Sequence, residues 1–207
     1  MIDKQEVIKF FDKYAAGWDA DMKRNDEVIG IILDNAGVRE GSDVLDVACG
    51  TGVLFPDYLG RNVAGLTAID ISPEMAKIAG GKATAVNREL VKAGGKPIVN
   101  IICGDVESYD FGKQFDSVVV YNAFPHFPDP ALLVERLAAV TKPAGRMTIA
   151  HGMSREALTK HHSGSASKVS TLLMTAEDLA ELFRPYFDVD VVISDDRMYQ
   201  VAGVRKG

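Results

Sequence analysis

Residues 44–52 read Val-Leu-Asp-Val-Ala-Cys-Gly-Thr-Gly, and this order leaves the backbone few choices. A short apolar run ends in a carboxylate and then in two glycines spaced Gly-x-Gly. The pattern predicts a strand, a tight turn and the start of a helix. Glycine lets the backbone bend sharply and approach a ligand where a side chain would leave no room. The helix that follows turns free N–H groups toward whatever sits in the turn. Alone, such a turn is a general signal for a nucleotide-like ligand. Its weight comes from the residues that follow it.

Strand and helix signals alternate on either side. Val7, Phe11, Tyr14 and Trp18 share one helical face, and Asp26 to Asn35 reads as a second helix that Gly37 closes. Strands are predicted at Val44–Val47, Val63–Ile69, Pro97–Cys103, Phe115–Val120 and Met147–Ala150. Ser72-Pro73-Glu74 is a helix start, with Ser as cap and Pro in the first turn. That helix runs toward Gly94-Gly95, with Gly80-Gly81 as a weak spot. Asp129-Pro130 repeats the signal ahead of Leu133, Leu137 and Val140, and Thr175 opens a late helix. Val189–Ile193 and Met198–Val204 end the chain as two strands joined by the polar turn Ser194–Arg197. Such a short link forces an antiparallel pair, because a parallel pair needs a long crossover.

The expected fold is α/β: a doubly wound, mostly parallel seven-stranded sheet with an antiparallel terminal strand pair and an N-terminal helical cap. At 207 residues the chain suits one domain. It divides into a cap (1–40), a ligand-binding core (41–151), a lid over the substrate (152–174) and a C-terminal helix with the strand pair (175–207). His161–Ser167, small and polar after two histidines, reads as a mobile loop.

Composition narrows the function. The net charge is −6 with no basic block, which argues against nucleic acid as the main partner. No apolar run approaches the roughly 18 residues that cross a membrane, and the first residues are polar rather than a signal peptide. With only Cys49 and Cys103 a disulfide framework is not expected, and a reducing cytoplasm fits. The expected state is monomer or homodimer, with a small molecule as partner.

Ligands of open α/β sheets sit beyond the C-terminal ends of the strands. Four predicted strands end there in polar groups. These are Asp46 with the glycine turn, Asp70, Gly104-Asp105-Val106, and Tyr121-Asn122. A carboxylate such as Asp70 suits a ribose diol, since it accepts two hydroxyl hydrogen bonds. Met75, Tyr14 and Trp18 read either as core or as ligand contacts.

These motifs resemble the class I S-adenosylmethionine-dependent methyltransferases, in the branch similar to the ubiquinone/menaquinone-biosynthesis enzymes. Phe11–Asp19 is similar to that family's leading aromatic helix, and Val44–Gly52 to its first motif. Asp70–Met75 and Gly104–Val106 are similar to the second and third. His126–Pro130 and Lys142–Arg146 resemble the stretches around the fourth strand and before the fifth. The resemblance implies a Rossmann-like fold and S-adenosyl-L-methionine as cofactor, with S-adenosyl-L-homocysteine as product. It implies that Gly50 and Gly52 pass the methionine part, supported by Asp46, and that Asp70 binds the ribose. Ile71 and Met75 would flank the adenine, and Asp105 with the Val106 backbone would hold its edge. Tyr121 and Asn122 would lie near the sulfonium. Tyr14 and Trp18 would close from the first helix. Ala48 and Ala144 depart from the family, standing where many members have glycine.

The implied reaction is an in-line methyl transfer to a small-molecule acceptor, with His126, His151 and Tyr121 as catalytic candidates. Either histidine could take a proton from the acceptor. The four histidines show no close ligand spacing that would indicate a metal site. Two other readings stay open. One is a binding module of the same fold that transfers nothing. The other is a nicotinamide-dependent oxidoreductase, which would want a third glycine where Phe55 stands.

Overall fold

The computed structural model describes residues 2–22, 24–162 and 168–207, and only the backbone of Asp21, His161 and His162. Seven strands form one sheet: β1 (Asp43–Val47), β2 (Gly65–Asp70), β3 (Val99–Cys103), β4 (Phe115–Tyr121), β5 (Thr141–His151), β6 (Phe187–Ser194) and β7 (Tyr199–Arg205), in the order β3-β2-β1-β4-β5-β7-β6. The first five run parallel. The β6–β7 hairpin is antiparallel and inserts β7 beside β5, also antiparallel. This is the expected architecture. The chain reverses between β1 and β4, which puts a crevice at the strand ends.

Helices cover both faces, and several begin where the sequence provides a cap. These are α1 (Lys4–Tyr14), α2 (Trp18–Asp21), α3 (Asp26–Asn35), α4 (Phe55–Gly60), α5 (Pro73–Lys92), α6 (Pro130–Val140), α7 (Arg155–His162) and α8 (Ala176–Phe183). Asn25, Ser72, Asp129 and Thr175 each accept a first-turn N–H through the side chain. α5 runs straight through Gly80-Gly81, because Ala76, Ala79 and Ala83 bury one stripe against the sheet. No helix among the described residues is long and apolar enough to cross a membrane.

Strand alternation sorts the core into two layers. Leu45, Val47, Val118, Val120, Met147 and Ile149 face α6 and α8 through Leu133, Leu137, Leu179 and Phe183. Val44, Leu66, Ala68 and Val119 face α3, α4 and α5 through Ile29, Leu33, Phe55, Tyr58 and Ala79. Gln200, fully buried on β7, pins α3 by donating to the Ile32 carbonyl at 3.0 Å and accepting from Asn35 at 2.8 Å.

Two expectations need correction. β5 begins six residues before Met147, at Thr141, because a bulge carries the strand through Lys142–Gly145. A Cβ at Gly145 would meet the Lys142 carbonyl at 2.9 Å and the Phe115 carbonyl at 3.1 Å, so only glycine permits this approach. The first helix is also broken. A 3₁₀ turn, Ala15–Gly17, separates α1 from α2 and shifts the phase of the aromatic stripe. Val7 is buried, but Tyr14 is 40% exposed and rests on Phe10. Trp18 turns back to meet the Phe11 ring edge at 5.5 Å. The loop expected at residues 161–167 lies outside the described residues, apart from the backbone of His161 and His162 at the end of α7.

Candidate functional site

The glycine turn leaves β1 through three left-handed residues, Ala48, Gly50 and Gly52, at φ of 53°, 56° and 82°. Its bonds run from Cys49 N–H to the Ile69 carbonyl and from Gly52 N–H back to the Cys49 carbonyl. At Gly52 a Cβ would lie 2.5 Å from the Phe55 ring, so glycine is required for space as well as for φ. Ala48 takes the same conformation with a methyl group. That explains why glycine is common at this place in the family the sequence resembles.

Asp70 ties the turn to the next helix. Its carboxylate accepts from Gly50 N–H at 2.7 Å and from Ser72 N–H at 2.8 Å. Asp46 and Asp70 lie on one face of neighbouring strands, since Asp46 is paired with Ala68, two residues before Asp70. Both are buried. Burial, and then the charge of Asp70, pushes Asp46 up to about 8. Burial pushes Asp70 up to about 6 against its two backbone donors. Cys49 is buried and its thiol is raised by desolvation, so it is not a thiolate nucleophile at neutral pH.

At the next strand end, Asp105 accepts from Glu107 N–H at 3.1 Å and from Lys4 at 2.6 Å, and Lys4 also pairs with the buried Glu107. Val106 and Met75 are buried, and Ile71 is half-buried beside Ser72. At the end of β4, Asn122 adopts φ 55° and its side chain accepts from Gly152 N–H at 2.9 Å. This bond ties β4 to the segment after β5. The Tyr121 hydroxyl lies against Gly152, in space that any Cβ there would take.

The N-terminal segment crosses all four strand ends as a strap. Lys4 reaches Asp105. Asp12 accepts from the Ser72 hydroxyl at 2.5 Å and from Glu74 N–H at 3.1 Å. Asp19 accepts from the Thr51 hydroxyl at 2.5 Å and pairs with Lys82 at 2.7 Å. Phe11 sets its edge on the His126 ring at 4.9 Å. Sequence reasoning read only the apolar face of this segment. Asp12 and Asp19, seven residues apart, were the available signal for a second, polar face.

The two histidine candidates differ. His126 follows β4, is half-buried under the strap, and its Nδ1 lies 2.8 Å from the Val169 carbonyl. A carbonyl only accepts, so Nδ1 donates to it, and in a neutral ring the basic nitrogen is then Nε2. His151 ends β5 fully buried, edge-on to Tyr199 at 6.0 Å. The structure therefore brings His126, rather than His151, to the strap. Two surface hollows, of about 630 and 360 Å³, lie elsewhere, beside α6. The larger reaches Val106 and Glu107 at the end of β3, but neither lining includes the glycine turn or Asp70. No group of three His, Cys, Asp or Glu side chains that could hold a metal ion occurs among the described residues.

Comparison with known proteins identifies the family and the fold. A family model described as "Methyltransferase domain" matches residues 45–149. Malonyl-[acyl-carrier protein] O-methyltransferase of Acetivibrio thermocellus is 31% identical over 148 residues, covering 70% of this chain and 48% of the relative. Ubiquinone biosynthesis O-methyltransferase of Coxiella burnetii is 29% identical over 152 residues, covering 70% and 61%. The aligned region thus spans about half to three-fifths of these relatives. Among solved structures, magnesium protoporphyrin IX methyltransferase from Synechocystis, with bound S-adenosylhomocysteine, superposes at a TM-score of 0.72. It is 18% identical and covers 99% of this chain and 100% of that one. A putative methyltransferase of Haloferax volcanii, in complex with the Trm112 activator, gives 0.71 at 22% identity, covering 95% and 98%.

Proposed function

The chain belongs to the methyltransferase domain family, the class I S-adenosylmethionine-dependent methyltransferases, and from that premise we propose that it methylates a small-molecule acceptor. The observation that carries the reading is the Asp70 bridge, a buried carboxylate joining the Gly50 turn to the start of α5. Each carboxylate oxygen keeps a second lone pair, so a ribose diol can still donate to it. The buried and unpartnered Asp46 Oδ2 supports the fit of a cationic ligand on the same turn. When bound, the cofactor supplies a methyl group already activated on sulfonium.

The chain's own residues have five tasks. Asp70 holds the ribose, with Ile71 and Met75 flanking the adenine and Asp105 and the Val106 backbone at its edge. Gly50, Gly52 and Ala48 let the backbone pass the methionine part. The strap, with Phe11 and Trp18, keeps water out. His126 takes the acceptor's proton at Nε2, with Nδ1 fixed on the Val169 carbonyl. Tyr121 and Asn122 line the meeting point, and His151 supports it from within the core. Tyr14 stands outside this group.

The oxidoreductase reading loses support at Phe55, whose ring fills the space beside Gly52 where a third glycine would allow close packing. Calorimetric titration with S-adenosylmethionine, S-adenosylhomocysteine and NAD tests the cofactor. Binding of NAD alone would overturn the reading. An acceptor screen then separates an enzyme from a binding module.

A further inference from the structure

Asp46 is 2% exposed and Asp70 7%, and they share one face at the ends of adjacent strands. Asp70 has two backbone donors. Asp46 Oδ2 has no hydrogen-bond partner, and neither does the buried Tyr58 hydroxyl that acts on it from α4. Cys49 faces the pair from the turn and Asp12 acts on Asp70 from the strap, so neither contributes a positive charge. The lysines of this cleft are engaged elsewhere, Lys4 with Asp105 and Glu107, and Lys82 with Asp19. Among the described residues, no cation pairs with either acid. Two adjacent buried carboxylates with backbone donors for one and no countercharge do not both ionise at neutral pH. Asp46, the one without backbone donors, keeps the proton.

We propose that this site exchanges a proton for its ligand: Asp46 gives up its proton to solvent as the ammonium of the cofactor's methionine part takes its place. The O–H bond of the Asp46 carboxyl breaks, the proton leaves, and the carboxylate pairs with an ammonium that stays protonated. No other bond changes. The inference rests on the cofactor reading above. It adds that the cofactor's affinity is tied to pH through a residue that does no chemistry. Tightening with rising pH follows from the sign. The ligand favours ionised Asp46, so affinity climbs up to tenfold per pH unit while the free site is protonated, and levels off above about 8.

The experiment is calorimetry of S-adenosylhomocysteine binding at pH 7 in buffers of different ionisation enthalpy. The expected release is about half to one proton per site. 5′-Methylthioadenosine, which keeps adenine and ribose but lacks the amino acid, is expected to bind with little or no release. Asp46→Asn is expected to bind S-adenosylhomocysteine without release. If that variant does not fold, the two ligands on wild-type protein still decide the matter. Equal release for both ligands, or binding of S-adenosylhomocysteine with none, overturns the exchange while leaving the cofactor reading intact. No binding of either nucleoside overturns both.

Discussion

The two sides of the cleft are assembled by different kinds of contact. On the proposed cofactor side, Asp70 and Asp105 sit at the ends of their own strands and are fixed by backbone N–H groups close by. Asp70 is held by Gly50 and Ser72, and Asp105 by Glu107. On the acceptor side, His126 is held by a carbonyl 43 residues onward and by a ring from α1. The segment that carries that carbonyl is pinned separately, by Thr171 N–H on the Pro125 carbonyl at 2.8 Å. Local fixation gives a cofactor site that survives changes elsewhere. Under the proposed function, long-range fixation would let the acceptor pocket vary while the cofactor site stays the same.

The sharpest break between the two sides is His126→Ala. If Nε2 is the base, methyl transfer falls about 10²–10⁴-fold while cofactor affinity stays within about twofold, read by single-turnover rates beside calorimetry. A parallel loss of cofactor affinity would mean that the two sides are not separable. His151→Ala is expected to cost stability more than rate, because that ring is fully buried against Tyr199.

Asp70→Ala reverses the pattern. Removing the carboxylate leaves a ribose diol and two backbone N–H groups without their acceptor. Cofactor binding is expected to weaken by about 1–3 kcal/mol, or roughly 5–150-fold. With saturating cofactor, the transfer step itself changes little. Unchanged affinity in a folded Asp70→Ala protein would remove this residue from the site.

The same contrast governs what could be read from the sequence. The cofactor side was legible because strand, glycine turn and acid lie in short runs whose chemistry depends on local backbone. Ser72, Asp129 and Thr175 announced their helices for the same reason. The acceptor side was not legible. That Val169 meets His126, or that Asp12 meets Ser72, depends on how distant segments pack. The split of the first helix at Ala15–Gly17 was hidden because its aromatic spacing fits a continuous helix, and only the structure shows Tyr14 turned outward. β5 was shortened in the reading because Pro143-Ala144-Gly145 signals a turn, and the bulge absorbs it. Nothing in the residues around Tyr58 signals that its hydroxyl faces Asp46.

The strap joins the two sides, and weakening it sharpens the contrast further. Asp12→Ala removes the acceptor for the Ser72 hydroxyl and for Glu74 N–H. At about 0.5–1.5 kcal/mol, the strap should open about 2–10-fold more often. Hydrogen exchange of residues 5–20 is expected to quicken by that factor, and to slow again when S-adenosylhomocysteine is added. Exchange that ignores both the substitution and the ligand would show that the strap is fixed scaffold rather than a closing element.

The smallest expected effect compares two alanines held in the same conformation. Ala48 in the glycine turn has φ 53° and Ala144 in the β5 bulge has φ 61°. A left-handed alanine costs about 1–2 kcal/mol, of which glycine recovers all but the roughly 0.4–1 kcal/mol it loses by loosening the unfolded chain. Ala144 is exposed, so Ala144→Gly should stabilise the protein by about 0.5–1 kcal/mol, with no change in cofactor affinity. Ala48 is half-buried, and its methyl packs on the core layer beneath the turn. Losing that contact offsets part of the gain, so Ala48→Gly should come out near neutral. Urea denaturation measures both differences, and calorimetry with S-adenosylhomocysteine separates their meaning. An equal gain at both positions would show that the Ala48 methyl contributes nothing to packing. A loss of cofactor affinity at Ala48 alone would make that methyl, like the Asp46 carboxylate, a side-chain contact to the methionine part.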